Sequence, residues 1–278
     1  MDDRAACSPD EILMKVEAIY PHGFCAGVAG AVRKALSLPA PAYCLHELVH
    51  NELVVEGLKA RGIVFVESLD DVPGGATVLF SAHGVSPAIR KKAEAQGLNV
   101  VDATCPFVTR VHNAAREFSA KGLPVVVIGH PAHAEVKGIV GEVSNGGAYV
   151  YPDLPDAKKI GVVSQTTMNA DEVAKIVAEL RERFDVEATA EVCHATKERQ
   201  DAVKAFAGDA VLVLGSAQSS NTRRLCEVAR CRTFRAGTMD EVKALDLSGV
   251  ETLGVTSGAS TPESFFENAL KYLKEKWQ

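Results

Sequence analysis

No C-x₂-C pair occurs in this 278-residue chain, although it carries seven cysteines. That excludes the paired-thiolate spacing of ordinary structural zinc modules. An odd number of cysteines scattered along a long chain also does not read as a disulfide framework, and it predicts a reducing compartment, the cytoplasm. Positive charge is in short supply: 30 Lys and Arg stand against 36 Asp and Glu, a formal net charge of −6. Without a basic cluster there is no nucleic-acid footprint, because binding a phosphate backbone needs concentrated Lys and Arg. Long apolar runs are missing too. Stretches such as "PVVVIG" have strand length, so no membrane span is expected. The opening "MDDRAACSPDEILM" is acidic and poor in apolar residues, unlike a secretory signal.

What the chain does have is alternation. Apolar, β-branched runs are each followed by a helix-like segment: "TVLF" by "SPAIRKKAEAQG", "PVVVIG" by "AEVKGIVGEV", "IGVVS" by "ADEVAKIVAELRERF". "AVLVLGS" before "NTRRLCEVAR" and "TLGVTS" before "PESFFENALKYLKEKW" continue the series. Such alternation predicts an α/β fold with mostly parallel, covered sheets. The loops leaving those strands ("SAHGVSP", "GHPAHAE", "SQTTMN", "GSAQSSN", "TSGASTP") are rich in Ser, Thr, Asn, His and Gly. Ligands bind at this end of open α/β sheets.

Three cysteines occupy equivalent places between a strand-like run and a helix: Cys25 in "GFCAGVAGAV", Cys105 in "VVDATCPFVTRVH" and Cys193 in "AEVCHATKERQDAV". They lie 80 and 88 residues apart. The polar loops keep step. From each cysteine to the next loop is 25 residues (His50), 28 (His133) or 27 (Ser220); from there to the third loop is 33 (His83), 33 (Thr166) or 40 (Ser260). The chain therefore reads as three diverged α/β units, 1–103 with the N-terminal tail and strand, 104–190 and 191–278, arranged as a trefoil that brings three thiols to one centre. Three thiolates with no local pair suit a [4Fe–4S] cluster that keeps one iron free of protein ligands. Each cysteine opens a helix, whose N–H groups offset the charge of a thiolate or anionic cluster.

The segments "GFCAGV", "HNELVVEGL", "SAHGVSP", "DATCPFVTRVH", "GHPAHAEVKG", "SQTTM", "CHATKERQ", "SSNTRRL" and "TSGASTPE" run in order from about residue 20 to 263. Together they resemble the LytB family of 4-hydroxy-3-methylbut-2-enyl diphosphate reductases. The resemblance implies an iron–sulfur oxidoreductase of isoprenoid biosynthesis, acting in the last step of the methylerythritol phosphate route. Cys25, Cys105 and Cys193 would hold the cluster. Glu135 would donate or relay the proton, with Thr166 holding the hydroxyl or a water in its path. His50, His83, His133, Ser219, Ser220, Asn221 and Ser260 would grip the diphosphate. A small ferredoxin or flavodoxin is the implied electron donor. Where the family pattern carries polar or charged residues, this chain has Ala29 and Gly30, and its segment between Cys25 and His50 is a few residues shorter.

Other signals are discounted. "HELVH" (46–50) matches H-E-x-x-H, but Asn51 is a good N-cap before "ELVVEGLKARG", so the helix should start after His50 and leave His46 on a strand or loop. Cys226 and Cys231 sit five apart on a predicted helix, about 140° round its axis, and read as packing or surface thiols. Cys44 reads as strand core and Cys7 as part of a frayed tail. Arg199 reads as a structural ion pair or helix cap, and "FFENALKYLKEKWQ" as an amphipathic helix. Two rivals remain at this stage. A three-cysteine dehydratase of the quinolinate synthase type would need carboxylate-binding residues; a non-catalytic iron–sulfur sensor would bind iron without turnover.

Overall fold

A computed structural model describes residues 14–189 and 192–277. Along the chain run β1 (Lys15–Ala18), α1 (Ala26–Leu36), β2 (Ala42–Leu45), α2 (Glu52–Lys59), β3 (Ile63–Val66), β4 (Thr77–Phe80), α3 (Pro87–Ala95) and β5 (Asn99–Asp102). Then come α4 (Pro106–Ala120), β6 (Val125–Ile128), α5 (Ala134–Val140), β7 (Ala148–Val150), β8 (Lys159–Ser164), α6 (Ala170–Arg181) and β9 (Asp185–Thr189). The last third holds α7 (His194–Ala205), β10 (Ala210–Leu214), α8 (Ser220–Val228), β11 (Arg232–Ala236), α9 (Met239–Lys243), β12 (Thr252–Ser257) and α10 (Glu263–Trp277). Every strand–helix pair expected from the apolar alternation is present.

The strands form three four-stranded sheets, ordered β3-β2-β4-β5, β7-β6-β8-β9 and β11-β10-β12-β1. All pairings among them are parallel. Parallel strands need both faces covered, and alternate residues supply the two faces. In the first sheet Ala42, Cys44 and Leu79 pack with Ala31 and Ala35 of α1 and Val54 and Leu58 of α2. Leu45, Val78 and Phe80 face the other way, onto Ala93 of α3. In the second, Val125 and Val127 meet α4 and α5, while Val126 and Ile128 meet α6. The third repeats the scheme, with Leu212 and Leu214 against Phe265, Phe266 and Ala269 of α10, and Val211 and Val213 against α7 and α8. The amphipathic reading of the C-terminal helix therefore holds. Among the described residues no helix is long and apolar enough to cross a membrane.

One piece of the expected division is corrected. The N-terminal strand does not belong with the first sheet: β1 pairs with β12, Lys15 opposite Thr252 and Ala18 opposite Val255. The Met14 N–H reaches the Trp277 carbonyl at 2.9 Å. The reason lies in the repeat itself. β5 is the edge strand that leads into Cys105 and β9 the edge strand that leads toward Cys193; β1 is their counterpart leading toward Cys25, supplied from the opposite end of the chain. Each cysteine is thus delivered by the edge strand of one sheet to a helix packed on the next.

Candidate active site

The six polar loops follow the two central strands of each sheet: β2 and β4, β6 and β8, β10 and β12. Between such a pair the strand order reverses, so the helices leave on opposite faces and a crevice opens. All three crevices open onto one cavity. It is lined by Cys25, Cys105 and Cys193, by His50, His83 and His133, by Glu135 and Thr166, and by Ser219, Ser220, Asn221 and Ser260. The structure thus brings together every side chain that the sequence nominated.

The three cysteines occupy the N-cap positions of α1, α4 and α7. The Cys25 sulfur accepts from the Val28 N–H and the Cys193 sulfur from the Thr196 N–H, each at 3.4 Å. The Thr196 hydroxyl lies 3.1 Å from the Cys193 sulfur. A Cβ placed on Gly27 would meet the Cys105 sulfur at 2.5 Å and the Cys25 sulfur at 3.9 Å, so glycine there leaves room for two sulfurs to approach one helix start. Burial pushes the Cys105 and Cys193 thiols up, and the helix N–H groups pull the other way. Free thiols gathered in this way suit a cationic group that takes the place of their protons, and a three-sulfur donor set on helix N-termini fits an iron–sulfur cluster.

Glu135 lies in the first turn of α5 and is 1% exposed. Burial pushes its carboxyl up to about 7, against the pull of two hydrogen bonds from Thr166. The Thr166 N–H donates to Oε1 at 2.7 Å and its hydroxyl to Oε2 at 3.1 Å. Near neutral pH such a group exchanges a proton readily.

The histidines form a second cluster. His50 and His83 stack with ring centroids 4.4 Å apart, and His133 stands edge-on to both at 5.4 Å. Their ring nitrogens approach within 4.8 Å of one another. Burial, then the neighbouring rings, depresses His83 well below its ordinary value and brings His133 to about 4, so both are neutral at pH 7. The Nδ1 of His133 caps α5 by accepting from the Glu135 N–H at 3.2 Å. In the neutral ring the proton must then sit on Nε2, leaving that nitrogen as a donor. His50 Nδ1 is held by Glu47 Oε2 at 3.0 Å.

Opposite lies the start of α8, capped by the Ser219 hydroxyl. Ser220 and Asn221 form its first turn, and the Ser260 hydroxyl bonds the His50 carbonyl at 3.2 Å, tying the third unit to the first. A helix N-terminus framed by hydroxyls and an amide is an anion site. Among the described residues, no Lys or Arg lines the cavity.

The model of the family described as LytB protein matches residues 16–274. This chain belongs to the LytB family. It is 43% identical over 281 aligned positions to the 4-hydroxy-3-methylbut-2-enyl diphosphate reductase of Dechloromonas aromatica, covering 94% of this chain and 92% of that one. With the enzyme of the same name from Hahella chejuensis the identity is 44%, covering 94% and 90%. Among solved structures, the E-1-hydroxy-2-methyl-but-2-enyl-4-diphosphate reductase of Plasmodium falciparum superposes with a TM-score of 0.86 at 32% identity, over 94% of this chain and 88% of that one. A second, described as the terminal enzyme of the non-mevalonate pathway, gives 0.69 at 31% identity, over 94% and 99%.

Sequence reasoning missed several contributors to this LytB site. Gln165 is fully buried; its amide donates to the hydroxyls of Thr167 and Ser220, and its Oε1 accepts from the His130 N–H. Thr196 braces Cys193 and lies 3.5 Å from the Asn221 amide. His112, buried and bonded to Glu142 at 2.9 Å, packs behind Gly84, next to His83. A signal existed for Thr196 alone, three residues beyond an N-cap, where capping bonds fall.

Most of the discounted signals fall as expected where they are described, but the helical placement of Cys231 and the contacts of Arg199 do not. His46 adopts φ 57° outside any helix and binds Glu67 at 2.8 Å, while α2 starts after the Asn51 cap, so H-E-x-x-H forms no zinc site. Cys44 is buried in β2, its thiol pushed up to about 12 by burial. Cys226 and Cys231 pack at the edge of the third core, but they do not share a helix: α8 ends at Val228, and Cys231 lies in the bend before β11. Cys7 lies outside the described residues. Arg199 makes neither of the contacts expected of it; it donates instead to the backbone carbonyls of Gly23, His22 and Ala195.

Proposed function

We propose that this chain catalyses the reductive dehydroxylation of 4-hydroxy-3-methylbut-2-enyl diphosphate to isopentenyl and dimethylallyl diphosphates. The supporting observation is that three helix-capping cysteines, a buried carboxyl with a pKa of about 7 and an anion-binding helix start share one cavity. Relatives matching along nearly the whole chain carry that activity in their names.

A [4Fe–4S] cluster on Cys25, Cys105 and Cys193 would supply electrons and Lewis acidity at the iron that no cysteine holds. The remaining chemistry falls to side chains. The diphosphate is gripped by the Nε2–H of His133, by His50 and His83, and by the N–H and hydroxyl groups of Ser219, Ser220, Asn221 and Ser260. Held this way, the allylic 4-hydroxyl lies toward the thiols and Glu135. Glu135 holds a proton at its carboxyl, and Thr166 fixes the orientation of both oxygens. Proton transfer to the departing oxygen releases water. Two electrons and a second proton, added at one or the other end of the allyl unit, complete dimethylallyl or isopentenyl diphosphate. A ferredoxin or flavodoxin would deliver the electrons.

A quinolinate synthase type of reaction is the rival reading, and turnover of the allylic diphosphate separates the two. The test is anaerobic reconstitution with iron and sulfide, followed by reduction of the allylic diphosphate with a viologen dye. Dye oxidation with formation of both five-carbon diphosphates is expected. An iron-loaded protein that leaves the substrate untouched would overturn the proposal and favour a sensor.

A further inference from the structure

Arg199 is 3% exposed, six residues past Cys193 on α7. Its guanidinium donates to the Gly23 carbonyl at 2.7 Å and to those of His22 and Ala195 at 3.3 Å, joining the Cys193 helix to the turn that delivers Cys25. Nε has no hydrogen-bond partner among the described residues. Among the described residues the guanidinium forms no ion pair. Glu198 and Glu263 rank behind the Cys25 and Cys193 thiols in their electrostatic effect on it, and each is about half exposed and engaged with a histidine of its own. Carbonyl dipoles solvate a buried cation but leave it unneutralised, and an uncompensated buried charge is strongly unfavourable. An anion beside Cys25 and Cys193 resolves this.

We infer that Arg199 is the countercharge of the iron–sulfur group, a positioning residue that raises its reduction potential; this rests on the function proposed above. The electrostatics give the sign. Adding an electron makes the cluster more negative, so a fixed cation close by in a low-dielectric setting favours the reduced form. Arg199 does not line the substrate cavity, so its effect passes through the thiol-held group and not through substrate contact. Arginine suits this place because it stays charged when buried and its planar fork serves several carbonyls at once.

The test compares wild type, Arg199→Lys, Arg199→Gln and Arg199→Met as anaerobically reconstituted full-length proteins without substrate. Iron and sulfide per chain are measured first, then the potential by redox titration followed by electron paramagnetic resonance. Gln, which keeps a donor for the Gly23 carbonyl, and Met are expected to shift the potential negative; Lys is expected to hold it near wild type. Loss of the cluster in Gln and Met with retention in Lys would support the same role, since Lys and Gln both keep a donor for the Gly23 carbonyl and differ in charge. Potentials in Gln and Met equal to wild type at full iron loading would overturn the inference while leaving the proposed function standing. A wild-type chain that takes up no iron would overturn both.

Discussion

Thr166 holds Glu135 by both carboxyl oxygens, through its backbone N–H at 2.7 Å and its hydroxyl at 3.1 Å. The carboxyl cannot rotate, yet it retains a proton near neutral pH because burial outweighs those two bonds. Turnover should therefore fall as pH rises through about 7, where the donor form is lost. Glu135→Gln preserves shape and can keep both contacts, its oxygen accepting from the Thr166 N–H and its NH₂ donating to the Thr166 hydroxyl, but it has no acidic proton to give. It should keep full iron content, lose at least about a hundredfold in kcat, within the usual range for a general acid, and lose the pH 7 limb.

The same burial has a stability consequence. Because the folded-state pKa lies above the ordinary glutamate value of 4.5, ionising Glu135 costs folding free energy progressively from about pH 4.5 to about 7 and by a constant amount above that. Glu135→Gln should accordingly match wild type in thermal melts at pH 4 and exceed it at pH 8. Equal melting curves at pH 8 would mean that the carboxylate is solvated.

Gly27→Ala tests the convergence of the thiols without touching a sulfur. Its Cβ would sit 2.5 Å from the Cys105 sulfur, so Cys105 must move. Iron content after reconstitution should drop severely while circular dichroism stays native. Cys105→Ser should give the same phenotype by removing the ligand, with no measurable turnover.

His133→Ala removes a neutral Nε2–H donor and the α5 cap together. His133→Asn restores a side-chain oxygen able to cap and isolates the loss of the ring donor. Loss of one hydrogen bond to a charged group, about 1.5–3 kcal/mol, should raise KM by about 10- to 150-fold in the Asn variant. Competition by inorganic pyrophosphate measures the same quantity directly.

Gly30 faces open space in the middle of α1. Gly30→Ala should stabilise the chain by about 0.5–1 kcal/mol in denaturant titrations and leave iron content and kcat unchanged.

The cavity was legible from spacing because six polar loops and three cysteine loops recur at near-constant intervals, and a parallel sheet puts all such loops at one edge. The histidines and Ser260 were visible for that reason. β1 was not assignable to its sheet: "KVEA" looks alike whichever sheet it joins, and its partner Thr252 lies at the far end of the sequence. Gln165 and His112 escaped notice because their roles come from contacts across units, Gln165 with Ser220 and His112 with Gly84, which no local pattern encodes. Arg199 was seen and misjudged, since nothing in "ATKERQ" tells that its partners are carbonyls 176 and 177 positions away.

The parallel pairing of β1 with β12 also sets a timetable for maturation. On the ribosome the strand before Cys25 is made long before Thr252–Ser257, its only neighbour in the sheet, so until that segment follows the third sheet consists of β10 and β11 alone. Until then the turn bearing Cys25 has no edge to anchor it. The three thiols meet only once β12 is in place, which couples cofactor loading to the making of that one strand.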